Sequence, residues 1–132
     1  KSLSLVTDKR TPLERFNDDL KDIRSKKSWE TNSKQFYSAL SEAVKTYLEV
    51  EERIAALEST TQEIKPEIMA LQWASQYKVE TIEMLKEGDM VKFAKATSSP
   101  EAQTQHLLNM ETLLQTLTKE EAARQSSKNQ NV

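Results

Sequence analysis

At 132 residues the chain is sized for one domain, and its 36% apolar share predicts a folded but thin core. Nineteen basic and 21 acidic side chains leave a net charge of −2, without the basic footprint that nucleic-acid binding requires. The absence of cysteine excludes disulfides, thiol catalysis and zinc-finger chemistry.

One glycine and three prolines in the whole chain predict an all-α protein. Proline suits a first helical turn because that turn has no use for the missing N–H, and the fixed φ matches it. Residues 1–11 carry a short apolar patch (Leu3, Leu5, Val6) and read as a flexible N-terminal arm. Thr11-Pro12-Leu13-Glu14 then opens a helix predicted over 12–27, because threonine with a glutamate three positions on satisfies two orphan backbone donors. Leu13, Phe16, Leu20 and Ile23 form its apolar stripe, and Arg24, Lys26 and Lys27 suit a C-terminus where the macrodipole favours cations. A turn holding Trp29 leads to a second helix over 33–58, with Tyr37, Leu40, Val44, Tyr47, Leu48, Ile54 and Leu57 along one side and Glu51 interrupting the seam.

Thr60 and Glu63 read as a second capping box and Pro66 as a helix breaker, so a break or sharp kink is expected within 59–66. The third helix is predicted over 62–87 with two apolar stripes. One is Ile68, Leu71, Ile82 and Leu85; the other is Met69, Trp73, Tyr77 and Met84. Gly88 reads as the stop, followed by a short helix over 89–97. Behind Ser99-Pro100 a last helix over 100–124 carries Leu107, Met110, Leu114 and Leu117, and residues 125–132 read as a disordered polar tail. The sum is an elongated antiparallel bundle of about four helices occupying 12–124.

Chemistry is thinly signalled. The single histidine, His106, lies beside an apolar stripe with Gln103, not glutamate, three residues before it, so the pairing of a carboxylate-bridged di-iron bundle is missing. Asp18, Asp19 and Asp22 read as the solvated side of the first helix. There is no Gly-x-Ser-x-Gly elbow and no phosphate-cradling glycine loop. No enzymatic activity, cofactor, metal or small-molecule substrate is therefore expected.

The remaining lead is association. Methionine and aromatic residues are enriched where proteins meet, which singles out Met69, Trp73, Tyr77 and Met84 as a partner-binding stripe. Arg24, Lys26, Lys27 and Lys34, with Trp29 between them, form a basic surface patch that would suit an anionic membrane surface. No run approaches the roughly 18 continuous apolar residues of a membrane span, and Leu3-Ser4-Leu5-Val6 is too short for a signal-peptide core. Starting at Lys1 rather than Met, the sequence reads as a piece of a larger cytoplasmic scaffold, adaptor or effector that binds another protein through an exposed helix face. The alternatives are a coiled-coil element pairing with its own copy through the second helix, and a peripheral membrane binder.

Overall fold

The computed structural model describes residues 8–130, so residues 1–7 of the arm expected over 1–11 lie outside the described residues, while Asp8 and Arg10 are ion-paired to Arg15 and Asp18 of the first helix. Among the described residues five α-helices follow one another: α1 (Pro12–Lys26), α2 (Ser33–Glu51), α3 (Thr61–Met69), α4 (Ser75–Phe93) and α5 (Pro100–Gln130), with a short 3-10 turn at Ser28–Glu30 between the first two. No strand occurs among the described residues.

Both capping boxes form. The Thr11 hydroxyl accepts from the Glu14 N–H at 3.1 Å and the Glu14 carboxylate accepts from the Thr11 N–H at 2.8 Å. Thr60 and Glu63 repeat the exchange at 3.2 and 2.8 Å. Asn32 caps α2 through the Gln35 N–H, and Ser99 caps α5 through the Ala102 N–H, each at 3.0 Å.

Helix α1 packs on α2, α2 on α4, α4 on α5, and α5 back on α1, closing a ring of four. Contacting residues fix the directions. Gly88 meets Tyr37 while Met84 meets Ser41, Tyr77 meets Thr116 while Thr81 meets Met110, and each set runs in opposite senses. The result is an up-down-up-down bundle. Its core gathers Phe16, Phe36, Tyr37, Leu40, Leu48, Met84, Leu85, Leu107 and Met110, with the Phe16 and Tyr47 rings stacked at 5.3 Å. The short α3 lies antiparallel along the flank of α4. Thr61 donates to the Asp89 carboxylate at 2.6 Å, Lys78 donates to the Met69 carbonyl at 2.8 Å, and Ile64 and Ile68 face inward. Asp89 thus places negative charge at the amino end of α3, where the helix dipole favours it.

Several expected boundaries move. Helices α1, α2 and α4 end at lysine or arginine in the left-handed region, at Lys27 (φ 54), Arg53 (φ 59) and Lys95 (φ 57), rather than at glycine. After α2, the Glu52 and Ile54 N–H groups both reach the Leu48 carbonyl. After α4, Ala94 and Ala96 both reach the Met90 carbonyl in the same way. The second helix therefore stops at Glu51, not 58. The expected helix over 62–87 is two helices parted by 70–74, and Pro66 sits inside α3 instead of breaking it. Gly88 is no stop, and no separate helix occupies 89–97: α4 passes through Gly88 to Phe93. A Cβ on Gly88 would lie 3.3 Å from the Tyr37 Cβ and Cδ1 and from the Ser41 Oγ, so the missing side chain lets α2 and α4 approach closely. Helix α5 runs on to Gln130 rather than ending at 124, a length of about 46 Å. Its inward residues end at Leu117, and beyond them the described side chains are solvated apart from the half-buried Glu121.

Candidate functional site

Helix α4 carries apolar residues on both sides of its axis. The inner side presents Ile82, Met84, Leu85, Gly88 and Val91 to the bundle. The outer side is a single strip at alternating spacings of three and four: Gln76, Val79, Glu83, Lys86, Met90 and Phe93, all exposed. Within it Val79 is 48%, Met90 53% and Phe93 80% accessible, the last being the most open large apolar side chain among the described residues. Burying such a side chain on association gains on the order of 25 cal/mol per Å² of apolar surface; Met90 and Phe93 adjoin on this face, and Glu83 and Lys86 part them from Val79. The Lys92 ammonium lies 5.5 Å from the Phe93 ring centroid and partly shields it.

The stripe expected at Met69, Trp73, Tyr77 and Met84 does not form one face. The break at 70–74 puts Met69 on α3 and Tyr77 and Met84 on α4, which resets the helical phase on which their alignment depended. Met84 is fully buried, Trp73 is 8% accessible, Tyr77 is half-buried with its hydroxyl 2.9 Å from Thr116 Oγ1, and only Met69, at 42%, is open. The exposed apolar residues of α4 are instead Val79, Met90 and Phe93. The signal for them was present as the 76–79–83–86–90–93 spacing, obscured by reading Gly88 as a stop.

The basic patch is partly neutralised. Arg24 binds Glu111 on α5 through two nitrogens and lies 5.8 Å from the Trp29 ring centroid, while Lys26 pairs with Asp22 at 3.1 Å. Lys27 serves as the left-handed end of α1, and Lys34 is exposed in the first turn of α2. Trp29 itself packs edge-on against Phe36 at 6.1 Å. The stripe of α2 on which self-pairing was expected is core: Tyr37, Leu40, Val44, Tyr47 and Leu48 are buried.

Two polar regions lie away from this strip. A shallow groove of about 260 Å³ between α1 and α2 is lined by Arg15, Asp19, Asp22, Ala39, Glu42 and Thr46. Burial pushes the Asp19 carboxyl above its ordinary value, against the pull of Arg15. On the other side His106 stands edge-on to Tyr37 at 5.9 Å, with Nδ1 buried and unpartnered. Its burial lowers its pKa, opposed by the negative charges of Glu87 and Glu83. Nearby on α5, buried Gln103 donates to Ser33 Oγ and the Ser98 carbonyl, each at 2.8 Å, which fixes the α4–α5 loop rather than opening a site. Among the described residues no group of three or more His, Cys, Asp or Glu is arranged to hold a metal ion, and no helix is long and apolar enough to cross a membrane.

These features define a four-helix bundle with a flanking fifth helix and one two-faced helix, α4. Compared with known proteins, the chain matches no family model, no curated protein and no solved structure.

Proposed function

We propose that this chain is a non-enzymatic helical interaction module that receives a partner helix along the outer strip of α4. The observation carrying this reading is Phe93, an aromatic residue left 80% accessible on a helix whose opposite side is fully packed. A partner helix laid on the strip would meet Val79, Glu83, Lys86, Met90 and Phe93 at the three–four spacing that lets helices interlock, with the charges of Glu83 and Lys86 between the apolar contacts selecting its own. The rest of the bundle supplies stiffness: the inner side of α4 is anchored by Met84 and Leu85, and α3 braces its flank through Thr61 and Lys78.

The test replaces Val79 and Phe93 together by aspartate. Both are exposed, so thermal melting and circular dichroism should match the unchanged protein, while association with any helical partner, including a second copy, is lost. Unaltered association by a correctly folded double variant would overturn the reading.

A further inference from the structure

The outer strip of α4 has a property that bears on what covers it. About a midpoint between Met84 and Leu85 it is complementary to its own reverse. An antiparallel copy laid along it sets Glu83 opposite Lys86, Val79 opposite Met90, and Gln76 opposite Phe93, each pairing occurring twice. Resting on the α4 reading above, we infer that the occupant of this face is a second copy of the chain, joined by an antiparallel α4–α4 contact on a two-fold axis.

The spacing assigns Gln76, Glu83 and Met90 to a positions and Val79, Lys86 and Phe93 to d positions, and in an antiparallel pair of helices an a residue faces a d residue, as all six do here. An isologous contact requires that if residue i meets j, then j meets i, which any strip of alternating a and d positions satisfies about its midpoint, so the residue types decide. At the seam the charges agree: the two-fold axis brings two Glu83–Lys86 pairs to the centre with opposite signs facing, flanked on both sides by Val79–Met90 contacts, while Glu80 and Glu87 beside the seam carry like charge and limit its strength. A parallel pairing would instead set Glu83 against Glu83 and Lys86 against Lys86. The strip spans about 26 Å, and α4 is held rigid beneath it by the bundle, so little order is lost on pairing. With three apolar residues per copy, the contact is small and the dimer correspondingly weak and concentration-dependent.

The test is a charge exchange read by sedimentation velocity over roughly three decades of protein concentration. The unchanged protein should pass from monomer to dimer. Lys86→Glu and Glu83→Lys each replace both central attractions by repulsions and should weaken dimerisation by roughly tenfold. The double exchange Glu83→Lys with Lys86→Glu should restore it, and so should mixing the two single variants, since one carries two lysines and the other two glutamates at the seam. All these side chains are exposed, so melting should be unchanged throughout. Dimerisation indifferent to the single reversals, or not rescued by the double, overturns the pairing. A strictly monomeric unchanged protein also overturns it; the α4 reading itself then survives only if a different helical protein binds in a manner abolished by the Val79 and Phe93 aspartates.

Discussion

Met84 and Met90 sit on one helix, six residues apart, and the structure assigns them opposite roles. Met84 is fully buried, with its sulfur 3.9 Å from Ser41 Oγ, whereas Met90 is 53% accessible. Truncating a buried methionine to alanine removes its transfer energy and leaves a cavity that the surroundings refill only partly, a cost of about 2–5 kcal/mol. Serine and glycine, at 41 and 88, are poor candidates for refilling this space, so about 3 kcal/mol is expected for Met84→Ala. For a denaturant slope of about 1.5 kcal/mol per molar urea, the unfolding midpoint should fall by about 2 M. Met90→Ala, by contrast, should stay within about 0.5 kcal/mol, a midpoint shift of about 0.3 M. Both are measured by urea unfolding at a dilution where the chain is monomeric, so that pairing through α4 contributes nothing. Equal losses for the two variants, or a greater loss for Met90→Ala, would refute the division of α4 into an inner and an outer side.

Three further outcomes follow from the geometry. Lys95→Gly relieves a left-handed lysine costing about 1–2 kcal/mol and gives back about 0.5–1 kcal/mol of glycine entropy, so thermal unfolding should show a net gain of about 0.5–1 kcal/mol; a loss would mean the Lys95 side chain contributes more than its backbone costs. Gly88→Leu should be strongly destabilising, since even a Cβ there approaches Tyr37 and Ser41 at 3.3 Å, and wild-type stability in that variant would contradict the close α2–α4 approach. His106 has a folded-state pKa below its unfolded value near 6.5, so the native state binds fewer protons and stability falls as pH drops through that region. The pH dependence of urea unfolding should accordingly be shallower for His106→Gln below about pH 7, and an identical or steeper profile would show that this histidine is not disfavoured as a cation.

The sequence announced helix starts far better than helix ends. Starts are local: Thr11 with Glu14 and Thr60 with Glu63 declare a cap within four residues, and both boxes are formed. Ends were set by tertiary structure. Lysine and arginine in the left-handed region carry no sequence flag, whereas Gly88, the one residue that looks like a stop, is required by a helix 50 residues away that must pass close to it. The same misplacement hid the outer strip. Read as two helices parted at Gly88, Val79 and Phe93 share no face; read as one, they fall on a single line with Glu83, Lys86 and Met90. Conversely, Met69 and Trp73 looked aligned with Tyr77 and Met84 only while the turn at 70–74 was unrecognised. Its residues, Ala70-Leu71-Gln72-Trp73-Ala74, include neither glycine nor proline. Within it Trp73 is buried beside the half-buried Glu52, whose carboxyl burial pushes up while the Trp73 indole pulls it down.

Because the chain has no cysteine, the register of the α4 contact can be read directly by cross-linking. An equimolar mixture of the single variants Glu83→Cys and Lys86→Cys, oxidised gently and digested, should yield a disulfide joining position 83 of one copy to position 86 of the other as the dominant product, with the remaining Glu83–Lys86 pair intact across the axis. A predominance of 83–83 and 86–86 links, or no inter-chain link at concentrations where the unchanged protein sediments as a dimer, would contradict the antiparallel two-fold arrangement.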